Sequence, residues 1–163
     1  MKNKSLDLHT FKITIKNDLR YIYPVQAAAR AYAENIGFQN KEAYHIELLL
    51  EEILSNTIKY DFMPGQTEDI NVCFDITTLG MSVTIHSNSI PMDIEKIKSF
   101  ENIDKQEVIN HNANGLGALL INNLANSISY TNKGREGQYI SFEKHLPREV
   151  MVKDDNLKPS KDE

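Results

Sequence analysis

The sequence predicts an α+β two-layer sandwich, in which a mixed, mostly antiparallel sheet carries its helices on one face. Three observations lead there. Two helical segments follow one another directly after a single opening strand. The later strands come in hairpin pairs and not singly between helices, which favours antiparallel pairing. A length of 163 residues suits one domain with a real core and is too short for two cores and a linker.

Taken in order, residues 11–15 (FKITI) alternate apolar and polar, the pattern of a half-buried strand. Pro24 suits the first turn of a helix, and the alanine-rich stretch after it closes at Gly37, so a helix is predicted over 24–36. A second helix over 41–60 must stop before Pro64-Gly65, a pair that demands a turn. Residues 70–76 and 81–85 alternate again and are joined by Thr77-Thr-Leu-Gly80 as a hairpin. From 87 to 114 periodicity weakens, leaving at best a short helix over 93–100. A long irregular stretch inside a compact domain is usually functional or mobile. A helix over 116–125, opened by Gly115-Leu-Gly117, leads into strands over 127–131 and 138–143 with a hairpin loop, 132–137, between them. Pro147 ends the domain: residues 1–146 form it, and 147–163 make a charged tail expected to be poorly ordered.

Composition excludes several functions. Hydrophobic residues at 40% and charged residues at 25% are ordinary for a globular chain, against wholesale disorder. The 18 Lys+Arg against 23 Asp+Glu leave a net charge of −5, which argues against a protein that tracks a nucleic-acid backbone. A protein partner or a small ligand fits better. Cys73 is the single cysteine and has no intrachain disulfide partner. The first ten residues lack a signal-peptide apolar core, and no run approaches a membrane span, so a cytoplasmic location with no membrane contact is expected.

Two motifs carry chemistry. On the 41–60 helix, Ile46, Leu50, Ile53, Leu54 and Thr57 share the core face, while His45, Leu49, Glu52 and Asn56 line one flank at its edge. Glu52 and Asn56, four residues apart, project together from successive turns. A carboxylate beside a carboxamide offers oxygen ligands to magnesium and can orient a hydroxyl; a merely solvated flank is the plain alternative. Asn114-Gly-Leu-Gly117 opens an apolar helix, and glycines there let backbone N–H groups approach a triphosphate; the alternative is a tight turn. No G-x-x-x-x-G-K-[ST] motif is present.

Glu52-Ile-Leu-Ser-Asn56, then Ser87-Asn-Ser-Ile-Pro-Met-Asp93 closing a hairpin strand, then Asn114-Gly-Leu-Gly117 resemble, in that order, the N, G1 and G2 boxes of the GHKL (histidine kinase-like) ATPase superfamily. The sequence looks most similar to the small RsbW-type anti-sigma factor serine kinases over residues 10–146. The resemblance implies the Bergerat fold, with ATP and Mg2+ as cofactors. It implies Glu52 as general base and Asn56 as magnesium ligand. Ser87, Asn88, Ser89 and Pro91 would take the G1 positions, and Asn114, Gly115, Leu116 and Gly117 would cradle the phosphates. Residues 92–114 would form a lid, and Ser141 would sit beneath the adenine on the last strand. It further implies a homodimer that binds a sigma factor and phosphorylates a serine of an anti-anti-sigma (STAS-type) partner, with no direct contact to nucleic acid.

The G1 box of such proteins commonly reads D-N-G-I-P-F-D, its first aspartate taking a hydrogen bond from the adenine amino group. Here Ser87 and Ser89 replace the aspartate and the glycine. Two readings therefore stand: an ATP-dependent serine kinase doubling as an anti-sigma factor, or a nucleotide-binding-deficient protein-binding module on the same fold. A sensor histidine kinase fragment is disfavoured, because nothing before Phe11 reads as a helical hairpin with a phospho-acceptor histidine.

Overall fold

The computed structural model describes residues 10–88 and 113–147. The predicted 93–100 helix, most of the lid, Ser89, Pro91 and nearly all of the C-terminal tail lie outside them.

Strand β1 spans Thr10–Lys16, and a short 3-10 turn, Leu19–Tyr21, follows it. Asp18 starts that turn by accepting the Arg20 N–H at 2.9 Å, so the chain is already coiled when helix α1 (Ile22–Asn35) begins, two residues ahead of the sequence expectation. Pro24 then falls in the first turn of α1, where an N–H would have no intrahelical partner. Helix α2 (Asn40–Tyr60) packs against α1, and Ala29 and Ala33 of α1 and Ala43, Ile46 and Leu50 of α2 are fully buried. Small alanines on α1 let the two helices approach closely.

Strands β2 (Asp69–Ile76) and β3 (Gly80–Ser87) form the expected hairpin. Helix α3 (Ala113–Leu124) precedes β4 (Ser127–Asn132) and β5 (Gln138–His145). Among the described residues the sheet order is β1-β2-β3-β5-β4 with every pairing antiparallel, so the mostly antiparallel expectation holds.

Register decides what each face carries. Val72 lies opposite Ile85 and Phe74 opposite Val83; Ile85 in turn faces Ile140, and Val83 faces Phe142. All six are buried against the helices, Phe74 and Phe142 fully. Each such side chain contributes about 1.5–3 kcal/mol of transfer free energy. Phe11 joins them, its ring 5.5 Å from Phe74 and 5.3 Å from Tyr32 of α1. The opposite face is polar: Thr14 donates to Asn71 at 2.8 Å, and Thr84 and Ser141 share a 2.8 Å bond. The described helices therefore gather on one face, because only that face has apolar surface to bury.

One detail of the α2 wheel changes. Leu49 is fully buried and belongs to the core face, while His45, Glu52 and Asn56 stay at its half-exposed edge.

Candidate functional site

Glu52 and Asn56 meet on α2 as their spacing requires. The Asn56 Nδ2 amide donates to Glu52 Oε1 at 2.7 Å. Because the amide nitrogen is committed to the carboxylate, Asn56 Oδ1 turns the other way, where an oxygen ligand can meet a hard cation.

Helix α3 crosses this pair, and Gly117 lies directly on Glu52: a Cβ built on Gly117 would overlap the Glu52 carboxylate. The glycine sits inside α3 and not ahead of it. Its role is therefore close approach and not a turn with positive φ, the alternative that the sequence left open. Asn114, Gly115 and Leu116 occupy the first turn of the same helix.

The second part of the site lies where β3 ends. Ser87 is buried opposite Gln138, the first residue of β5, and accepts from Gln138 Nε2 at 3.4 Å. The same nitrogen donates to Asp61 Oδ2 at 2.9 Å, and the Tyr130 hydroxyl of β4 donates to Gln138 Oε1 at 3.0 Å. Asp61, Ser87 and Gln138 are 3%, 2% and 2% exposed, so this is a built polar cluster within the core layer. Gly137, with φ +90°, lets β5 start hard against β3, since a Cβ there would overlap the Ser87 carbonyl oxygen. Asn88 is exposed beside it.

Ser141 does not join this group. Strand alternation sends Gln138, Ile140 and Phe142 toward the helices and Ser141 to the outer face, where it bonds Thr84. The polar residue of β5 on the helix side is instead Gln138, three residues earlier and so in the other phase. The sequence carried a signal for it: Gln138 is a polar residue in the apolar phase of Gln138-x-Ile140-x-Phe142. Asp61 carried a subtler one, a carboxylate at the C-terminal end of a helix, where the helix dipole disfavours negative charge.

Along α2, then, a carboxylate–carboxamide pair under a close helix crossing is followed by a buried polar cluster reached from β3 and β5. Residues 15–144 match the histidine kinase-like ATPase domain. The chain belongs to that family. The match takes in every described helix and strand, with β1 and β5 entering it in part, and no curated protein gives a significant match.

At the far end of this ATPase domain, Lys144 Nζ donates to the Leu124 carbonyl at the end of α3 at 2.6 Å and lies 3.3 Å from His45 Nδ1 of α2. Lys144 thus supplies the cation that a helix C-terminus favours and ties α3 to β5 beside α2. Burial pushes the Lys144 ammonium below its ordinary range. Burial first, and the Lys144 charge second, holds the His45 imidazole below its usual value. Among the described residues no group of three or more His, Cys, Asp or Glu is placed to hold a metal ion. No helix of the described residues is long and apolar enough to cross a membrane.

Proposed function

We propose that this ATPase domain is an anti-sigma-factor-like regulator that binds Mg-ATP and phosphorylates a serine of an anti-anti-sigma (STAS-type) partner, working in the cytoplasm as a homodimer that also holds a sigma factor. The observation that carries the reading is the Asn56-to-Glu52 hydrogen bond lying directly beneath Gly117 of α3. It joins a base, an oxygen ligand and a helix entry, the parts a phosphoryl transfer needs.

Asn56 Oδ1 would hold magnesium together with nucleotide phosphates and waters, which suits an ion that keeps most of its own shell. When bound, the metal neutralises charge on the phosphate oxygens. The N–H groups in the first turn of α3 would face the phosphates. Glu52 accepts the proton of the partner's serine hydroxyl as its oxygen forms a bond to the γ-phosphorus. The bond from that phosphorus to the β–γ bridging oxygen breaks, and ADP leaves with the electron pair. The bond from Asn56 holds the Glu52 carboxylate for that task.

Calorimetry with Mg-ATP tests the reading. Binding is expected, with Glu52→Ala losing turnover while keeping ATP, and Asn56→Ala losing the magnesium dependence. Failure to bind at millimolar Mg-ATP overturns it and leaves the second reading, a protein-binding module without nucleotide. That second reading draws on Ser87, which stands in place of a carboxylate and already accepts from Gln138. Co-purification followed by mass spectrometry tests the partners, and recovery of neither a sigma factor nor an anti-anti-sigma protein sinks the anti-sigma assignment.

A further inference from the structure

We infer that Asp61 is the nucleobase-recognition group of this chain, a carboxylate supplied from the end of α2 and held beside the end of β3 by Gln138. The inference rests on the Mg-ATP reading above and names the residue that selects the base.

Position comes first. Asp61 lies nine residues beyond Glu52, about 13 Å along the α2 axis at 1.5 Å per residue. An extended nucleoside triphosphate separates its terminal phosphate from its base by a distance of this order. With phosphates between Glu52, Asn56 and the start of α3, the base falls at the Asp61 end. Among the described residues, the polar groups there include the cluster of Asp61, Gln138 and Ser87, the buried Thr57 hydroxyl one turn earlier on α2, and Asn88, exposed where the chain leaves β3.

Chemistry comes second. A purine amino group is a donor and needs an acceptor, and an ionised carboxylate is the strongest acceptor a side chain offers. Ser87 at the end of β3 offers a weaker one, whose oxygen already receives a hydrogen from Gln138. Gln138 directs both donors of its amide, one to Ser87 and one to Asp61, and its oxygen is taken by Tyr130. The amide therefore serves as a clamp that sets the carboxylate at the strand end.

Energetic misfit is the third observation. A carboxylate 3% exposed, at the negative end of a helix, opposes both burial and the helix dipole. The Gln138 amide is one of the partners that offset that cost, and departures from local rules of this kind concentrate where a chain has work for the group.

The test compares Mg-ATP with the Mg2+ complex of purine riboside triphosphate, which lacks only the amino group, by calorimetry on the full chain. The wild type should prefer ATP by about ten- to hundredfold, the range of a hydrogen bond to a charged acceptor. Asp61→Asn should remove that preference while binding both nucleotides, and adding Ser87→Asp in the same chain should restore it. If Asp61→Asn unfolds, Ser87→Asp alone decides: a second carboxylate beside Asp61 should weaken ATP binding, and unchanged or tighter binding overturns the inference. A preference for ATP that persists in Asp61→Asn overturns it too and leaves the Mg-ATP reading standing. If the wild type binds neither nucleotide, the Mg-ATP reading itself falls and this inference falls with it.

Discussion

Gly117→Ala separates stability from chemistry. Gly117 has an ordinary place inside α3, so alanine there gains about 1 kcal/mol of helix propensity. The new methyl would overlap the Glu52 carboxylate, and the overlapped atoms are the far end of a flexible side chain, which swings aside more cheaply than backbone. Leaving its place, Glu52 gives up the hydrogen bond from Asn56, a loss of about 1–2 kcal/mol. The two effects nearly cancel: net stability should change by no more than about 1 kcal/mol, a Tm shift of roughly 2–4 °C for a domain of this size. On the proposed kinase reading, turnover should fall on the order of a hundredfold or more, because Glu52, the proposed general base, has left its position.

Differential scanning calorimetry and a phosphoryl-transfer assay read the two quantities separately, and a double-mutant cycle with Glu52→Ala makes the test strict. In the Glu52→Ala chain the three atoms nearest the new methyl, all from the Glu52 side chain, are gone, so Gly117→Ala should stabilise by about 1 kcal/mol and cost no further turnover. If Gly117→Ala lowers Tm by 10 °C or more, on the order of 3 kcal/mol, the displaced-side-chain argument is wrong. Loss of turnover that adds fully to that of Glu52→Ala refutes it equally.

Other outcomes follow from the same structure. Gln138→Leu should destabilise by about 2 kcal/mol or more in urea denaturation, because Asp61, Ser87 and Tyr130 each lose a partner inside the core. Ser141→Ala removes one bond on the outer face and should cost about 1 kcal/mol or less, with Mg-ATP affinity unchanged in calorimetry. For pH, the lowered His45 value means that the unfolded chain binds more protons than the folded one below about pH 6.5. Stability should therefore fall as pH drops from 6.5 toward the folded value. His45→Gln should flatten that slope in thermal melts taken across pH 5–7.

Much of this fold was legible before any coordinates. Alternation in residues 11–15, 70–76 and 81–85 specified strands because a sheet with one apolar face imposes a period of two. Hairpin-length links then specified antiparallel neighbours. The Glu52–Asn56 pair was legible for a similar reason: on a helix, a spacing of four residues places side chains in reach.

Ser141 marks where that reading ended. Choosing between the two phases of β5 requires knowing which face the helices cover, and a wrong phase moves a residue to the other side of the sheet. Gln138 is on the covered side and Ser141 is not. The meeting of Gly117 with Glu52, and of Asp61 with Gln138 and Ser87, was decided only by tertiary structure, since each joins residues far apart in the chain. Local periodicity records which side of an element is apolar, and it is blind to which distant element arrives there. By itself the sequence determined a mostly antiparallel α+β sandwich with a paired carboxylate and carboxamide on its second helix. Packing decided what those two side chains touch, and it brought Asp61, Ser87 and Gln138, each far from the others in the chain, into one buried polar cluster.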